Sequence, residues 1–352
     1  MRKIQLTKSK TVYNYSDPYI IAEIGANHNG DIELAKKMID SAIICGCDAV
    51  KFQSWQPDSI VSKEEYAKNQ KYNDSPKKHF GSLREMVEKY YLTPEQHYEL
   101  DNYCRTKNVD FCSTPFTNVE TDLLNDIDVP FFKIASMDIN NFGFLEHVAS
   151  KKKPIVLSTG MSTLGEIEAA ISIINKAGND EIVLLHCISI YPPLFEDIHL
   201  NNISTLQKAF GYPVGFSDHT IGYSIPLASI ALGACIIEKH FTLDKDLPGW
   251  DHEISANPEE MAIICQESRN IVKSLGSFTR KVSIAEEEKK LKFRRSAVVK
   301  SDLESGHVLS IYDIDFKRPG SGIQPEQINF LIGKKLKHKL EADQIIKWSD
   351  FE

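Results

Sequence analysis

Through most of the chain, short apolar runs alternate with longer stretches whose apolar positions recur every three or four residues. The runs are YIIAEIG (19–25), DAVKFQ (48–53), VDFCST (109–114), FFKIAS (131–136), PIVLST (154–159), EIVLLHC (181–187), PVGFSD (213–218) and ACIIEKH (234–240). Near-continuous apolar runs of this length suit strands buried on both faces; the intervening stretches, such as TPEQHYELDNYCRTKN and TLGEIEAAISIINKAG, suit amphipathic helices. Eight such units predict a closed (β/α)8 TIM barrel, with a doubly wound open sheet as the rival.

The polar residues favour the barrel. The runs end in, or carry near their ends, Glu23; Lys51 and Gln53; Thr114; Lys133, Ser136 and Asp138; Ser158; Ser189 and Tyr191; Ser217 and His219; and His240. Strand ends of a barrel form one ring round a shared mouth, whereas an open sheet would spread them too far apart for one small substrate. The first run leads into EIGANHNG (23–30), which is not a phosphate loop. Gly30 is followed by Asp31 and Ile32 rather than Lys and Ser or Thr, and no G-x-G-x-x-G occurs. On local grounds Gly25 and Gly30 shape a turn and Asp31 caps the next helix.

Two regions break the rhythm. The polar segment between Ser54 and Tyr91 reads as a lid or binding loop that could hold short helices. The barrel pattern runs to residue 276, a charged linker covers 277–291, and 292–352 changes to short strands and turns, a second small domain with a marginal core of its own. The 352 residues, 42% hydrophobic and 26% charged, carry a net charge of −8, which argues against non-specific nucleic-acid binding. The N-terminal stretch lacks an apolar signal core and no run is long enough to span a bilayer, so a cytoplasmic location is expected, with no membrane partner. Seven scattered cysteines without C-x-x-C spacing read as reduced and mostly buried.

His219 and His240 end adjacent runs. Two imidazoles there could hold one divalent ion and leave positions for water or substrate, although each alone is more often a hydrogen-bonded structural residue. Lys51 and Lys133 lie inside apolar strands, where a lysine needs a partner. They could form a Schiff base, hold a phosphate or carboxylate with nearby hydroxyls, or pair structurally with Glu23. Asp251, in a Gly/Pro-bearing loop beyond the eighth run, could contact substrate. Arg318, on a turn in FKRPGSG, could reach an anionic group if the small domain covers a barrel mouth.

Together IAEIGANHNG, DAVKFQ, STPF, KIAS, PIVLSTGM, LLHCISIYP, GFSDHT, GACIIEKHFTLDK and KRPGSG resemble the sialic acid synthase family, in order and over nearly the whole chain. The resemblance implies a TIM barrel joined to an antifreeze-protein-like β-clip (SAF) domain, in a domain-swapped homodimer. It implies condensation of phosphoenolpyruvate with an N-acetylated amino sugar to a nine-carbon 2-keto-3-deoxy acid and phosphate. Lys51, Thr114, Lys133, Ser136, Ser158 and Ser217 would then bind phosphoenolpyruvate, and His219 and His240 would hold Mn, Mg or Co. Glu23 would assist proton transfer, Gln53, Asp138, Ser189, Tyr191 and Asp251 would face the sugar, and Arg318 would arrive from the partner subunit. Ser189 stands where neuraminate synthases often carry Asn, and Asp138 where bacterial members often carry Glu. Both leave the acceptor open between N-acetylmannosamine and a 2,4-diacetamido trideoxy relative leading to legionaminic acid, with pseudaminic acid a further alternative. The other readings are a metal-dependent aldolase, a synthase of shorter sugars, or a non-catalytic carbohydrate-binding barrel.

Overall fold

In the computed structural model, residues 2–71 and 81–352 are described. The chain divides into two compact units, up to Gly276 and from Ser277 onward. The first unit holds eight parallel strands: β1 Tyr19–Gly25, β2 Ala49–Ser54, β3 Asp110–Pro115, β4 Phe132–Ile134, β5 Ile155–Ser158, β6 Ile182–Cys187, β7 Val214–Asp218 and β8 Ile236–His240. The hydrogen-bonded order runs β3-β2-β1-β8-β7-β6-β5-β4, and its two ends, β3 and β4, lie in contact, so the sheet curls into a barrel.

Eight helices follow the strands: α1 Ile32–Cys45, α2 Pro94–Lys107, α3 Asn118–Ile127, α4 Phe142–Ser150, α5 Leu164–Lys176, α6 Asn202–Phe210, α7 Ser224–Ala231 and α8 Pro258–Leu275. Their starts follow from sequence. Asp31 caps α1 by accepting from the Glu33 and Leu34 amides, and Thr93, Thr163 and Asn257 form capping boxes with residues three further on. Each helix turns an apolar stripe onto the sheet, producing one layer of core between barrel and helices.

A second apolar layer fills the barrel's N-terminal end. Here Ile4, Leu6 and Val12 of an N-terminal antiparallel hairpin join Tyr19, Phe131, Val156 and Leu185, all buried. The hairpin stoppers that end of the barrel, a role the polar-looking N-terminus did not advertise. The Ser54–Tyr91 insertion does carry short helices, Pro57–Ile60, Lys63–Lys68 and Leu83–Lys89, clustered around Trp55, Tyr66 and Met86. The part of that expected lid at residues 72–80 lies outside the described residues.

In the second unit, the stretch expected as a linker runs into a helix, Ile284–Phe293, with no buried residue. Beyond it, Ser296–Val299 pairs antiparallel with Ile314–Lys317 around a core that includes Leu309, Leu336, Leu340 and Ile346.

Gly30 sits at φ +77°, and a Cβ there would lie 2.2 Å from the Lys89 carbonyl oxygen at the end of the insertion. Gly30→Ala should therefore lower stability by about 1–3 kcal/mol from backbone strain alone, before the clash is counted. Calorimetric unfolding checks this, and an unchanged melting temperature would contradict the close approach.

Candidate active site

The register of the parallel sheet assembles the site. Glu23 on β1 lies opposite Lys51 on β2 on one side and His240 on β8 on the other. Glu238 lies opposite Ser217 of β7, and Gln53 opposite Thr114 of β3. Side chains alternate along a strand, so Glu238 and His240 face into the barrel while Lys239 faces out. These inward groups line a cavity of about 720 Å3 at the C-terminal mouth, within the usual range for a small-molecule site, roughly 300–1,000 Å3.

The cavity floor is a buried charge network. Lys51 Nζ lies 2.7 Å from Glu23 Oε2 and 3.8 Å from Glu238 Oε2, and donates to Thr114 Oγ1 at 3.0 Å. Lys133 Nζ lies 3.4 Å from Glu238 Oε1, which also accepts from Ser217 Oγ at 2.8 Å. Gln53 donates to Glu23 Oε1 at 2.8 Å. Gly25 makes room for this contact: its φ is +54°, and a Cβ there would crowd both Gln53 Nε2 and Glu23 Oε1 at 3.1 Å.

The two carboxyls are pushed apart. Burial raises Glu23, with Lys51 opposing. Burial acts on Glu238 too, but Lys133, Lys51 and the Ser217 hydroxyl outweigh it and draw it down to about 2. Paired groups with separated pKa values suit one to a proton-moving role and the other to a fixed charge. Burial disfavours the charged form of Lys51, yet Glu23 and Glu238 hold it charged. A Schiff-base lysine must be neutral, so Lys51 suits anion holding or structural pairing instead.

The upper wall carries the imidazoles. The His219 and His240 rings stand 5.4 Å apart, and Tyr191 lies against His219 at 4.0 Å. His219 Nδ1 contacts the Ile188 carbonyl at 2.8 Å; donation there leaves Nε2 with a lone pair. His240 Nδ1 is buried without a hydrogen bond, and Asp251 Oδ2 stands 3.7 Å from it. Burial, then His219 and Lys51, keep His240 neutral. Burial also opposes charge on His219, but the neighbouring Cys187 raises it. The pair thus fits a divalent ion, with an orphaned buried nitrogen as the strongest sign. Among the described residues no group of three His, Cys, Asp or Glu forms a ready-made metal site, so further ligands would come from water or substrate.

Ser136, Ser158, Ser189 and Tyr191 also line the cavity. Ser158 Oγ is buried without a partner, and Ser136 Oγ accepts from the Gly160 amide at 3.0 Å. The NHN cluster proves to be bracing. Asn27 donates to the Phe241 carbonyl and to Ser255 and accepts from the Asp251 amide, while Asn29 donates to the Pro248 carbonyl. Together they fix the loop that brings Asp251 to the mouth.

Asp138 departs from expectation. It ends a 3-10 turn, Ser136–Asp138, whose side chains step round by a third of a turn each. Met137 lines the cavity and Asp138 does not; it is buried with Oδ2 unpartnered. Arg318 belongs to the second unit, where it is exposed and lies over the Phe293 ring at 5.1 Å. Glu238 was missed as a site residue. Its signal, a carboxylate between apolar residues and His240 in ACIIEKH, was there to be read.

A family model described as the NeuB family matches residues 38–280, and one for the SAF domain matches 294–352. The chain is a member of the NeuB family. Within this family it is 41% identical to the N,N'-diacetyllegionaminic acid synthase of Legionella pneumophila, covering 95% of this chain and 94% of that protein. It is 34% identical to human N-acetylneuraminate-9-phosphate synthase, over 98% and 95%. The crystal structure of the N-acetylneuraminic acid synthetase of Leptospira borgpetersenii, in complex with citrate, superimposes with a TM-score of 0.73 at 35% identity, over 82% of this chain and 95% of that one. This NeuB-family chain thus has a TIM barrel and a C-terminal SAF domain.

Two outcomes follow. Burial pushes Asp138 up to about 6 from an ordinary 3.8. Between those values the unfolded chain is ionised and the folded one protonated, so stability should fall as pH rises through that window. Asp138→Asn should flatten the fall in melting temperature across it; an unaltered slope would refute the assignment. Glu238→Gln leaves both floor lysines undercompensated and should destabilise by about 3–5 kcal/mol. Added phosphate should restore more stability to this variant than to the parent, as read by thermal shift.

Proposed function

We propose that the chain condenses phosphoenolpyruvate with an N-acetylated mannosamine-type sugar, giving a nine-carbon 2-keto-3-deoxy acid and phosphate. The observation that carries this reading is the cavity floor, where two buried lysines converge beneath two imidazoles with the hydroxyls of Thr114, Ser136, Ser158 and Ser217, of which Ser158 is without a partner. Lys51, Lys133, Thr114, Ser136, Ser158 and Ser217 hold the carboxylate and phosphate and aim the methylene carbon at the aldehyde. His219 and His240 would hold a divalent cation, Mn, Mg or Co, whose chemistry is to polarise the aldehyde oxygen. The new C–C bond joins the methylene carbon to the aldehyde carbon and leaves positive charge at C2. Water adds there, and C–O cleavage releases phosphate as the ketone forms. Glu23, its proton favoured by burial, lies where it can move a proton in this sequence.

Gln53, Ser189, Tyr191 and Asp251 face the acceptor. Ser189 is small, and it faces Gly160, where a Cβ would lie 2.4 Å from Ser189 Oγ. Gly160 lets Ser189 pack close against it, and the small Ser189 at the cavity wall leaves more room for an added acetamido group than a larger residue would; the Legionella relative's name points the same way. We therefore assign a 2,4-diacetamido-2,4,6-trideoxymannose acceptor, leading to a legionaminic acid. Arg318 of the partner subunit completes the site in a domain-swapped homodimer. Exposed apolar side chains support an assembly: Met161, Ile190 and Phe195 on the barrel unit, and Phe278, Ile284 and Leu291 on the second. The seven free cysteines fit a reducing cytoplasm, and among the described residues no helix is long and apolar enough to cross a membrane.

Phosphate release should require phosphoenolpyruvate and an acylated mannosamine together, fastest with the diacetamido sugar, with the product confirmed by mass. Preference for N-acetylmannosamine would overturn the acceptor; release with neither would overturn the reaction. His219→Ala and His240→Ala should each lower kcat by about 10²–10³, the usual effect of removing a group that stabilises developing oxyanion charge.

A further inference from the structure

Behind the two imidazoles, on the outer face of the barrel wall, lies a dry ion pair outside the site described so far. Lys239 Nζ lies 2.7 Å from Asp218 Oδ2, and both side chains are fully buried. Neither lines the cavity. Each is the immediate chain neighbour of an imidazole: Asp218 precedes His219, and Lys239 precedes His240.

The pair sits where the sheet stops holding the chain. The register between β7 and β8 ends at Lys239 opposite Asp218. His219 is one residue past the end of β7, so no ladder bond between those strands fixes its backbone. The ion pair takes over. Lys239 also donates to the Thr220 carbonyl, while Asp218 accepts from the Thr220 amide at 3.0 Å and hydroxyl at 3.1 Å. Thr220 is thus gripped on both backbone groups, and His219 is held between two anchored residues.

A fully buried ion pair is a poor device for stability alone, since apolar residues of similar volume often do as well or better. Its value here is geometric. We propose that Lys239 and Asp218 are positioning residues that set the spacing and aim of His219 and His240, and so tune the affinity of the cavity for its cation. This rests on the reading of those two histidines as the metal-holding pair.

The test uses full-length, chelator-stripped protein and manganese alone. The variants are Asp218→Asn with Lys239→Met, which removes both charges at similar volume, and Thr220→Val, which removes only the hydroxyl contact. By calorimetric titration the double variant should bind Mn2+ about 10–100-fold more weakly, as is usual when outer partners of metal ligands are lost. Its affinity for phosphoenolpyruvate without metal should be retained, and its crystal structure should show the two rings displaced from their 5.4 Å separation. Thr220→Val should move manganese affinity in the same direction by less, and it decides the matter if the double variant does not fold. Unchanged manganese affinity in a folded variant overturns the proposal. So does equal loss of manganese and phosphoenolpyruvate binding, which would mark the pair as merely structural. A parent protein that binds no Mn2+ yet still releases phosphate removes the metal reading and this inference, but leaves the condensation standing.

Discussion

The site depends on the mutual neutralisation of two lysines and two glutamates in the floor of a barrel. None of the four tolerates burial alone. Together they form a network in which each lysine touches a carboxylate and Glu238 serves both. Parallel register is what permits this. With Glu23 opposite Lys51 and Glu238 one strand away, a slip by one residue would turn each side chain to the other face and strand a charge among the apolar residues of the helix layer. The charge network and the fold therefore constrain each other.

The same network shapes what can bind. Burial favours the protonated form of Glu23, while the two lysines keep Glu238 ionised. When Glu23 holds its proton, the floor carries two positive charges against one negative and attracts an anion. When the proton leaves, the attraction weakens. A proton on one carboxyl and an anion on the lysines thus reinforce each other, as coupled binding requires.

Most of this was legible because strands of a barrel are short, apolar and end in chemistry. The eight runs lie within a few residues of the eight strands, and the strand-end residues Lys51, Lys133, Ser217, His219 and His240 do converge. What the sequence hid was local rotation and long-range covering. Asp138 sits one step round a 3-10 turn from the cavity, and strand alternation cannot foretell that step. The N-terminal hairpin looked polar because only three of its residues, Ile4, Leu6 and Val12, carry its apolar contact. Glu238 lies in plain view in ACIIEKH, but its importance appears only when register brings two lysines to it.

That hairpin has a kinetic corollary. With one end of the barrel stoppered, traffic to the floor passes through the opposite mouth. A ligand on the lysines is then trapped beneath anything seated against Tyr191 and Asp251. Were the proposed phosphoenolpyruvate to sit on the lysines and the proposed sugar against Tyr191 and Asp251, the deep ligand would enter first and what remains of it would leave last, a queue set by the depth of the cavity.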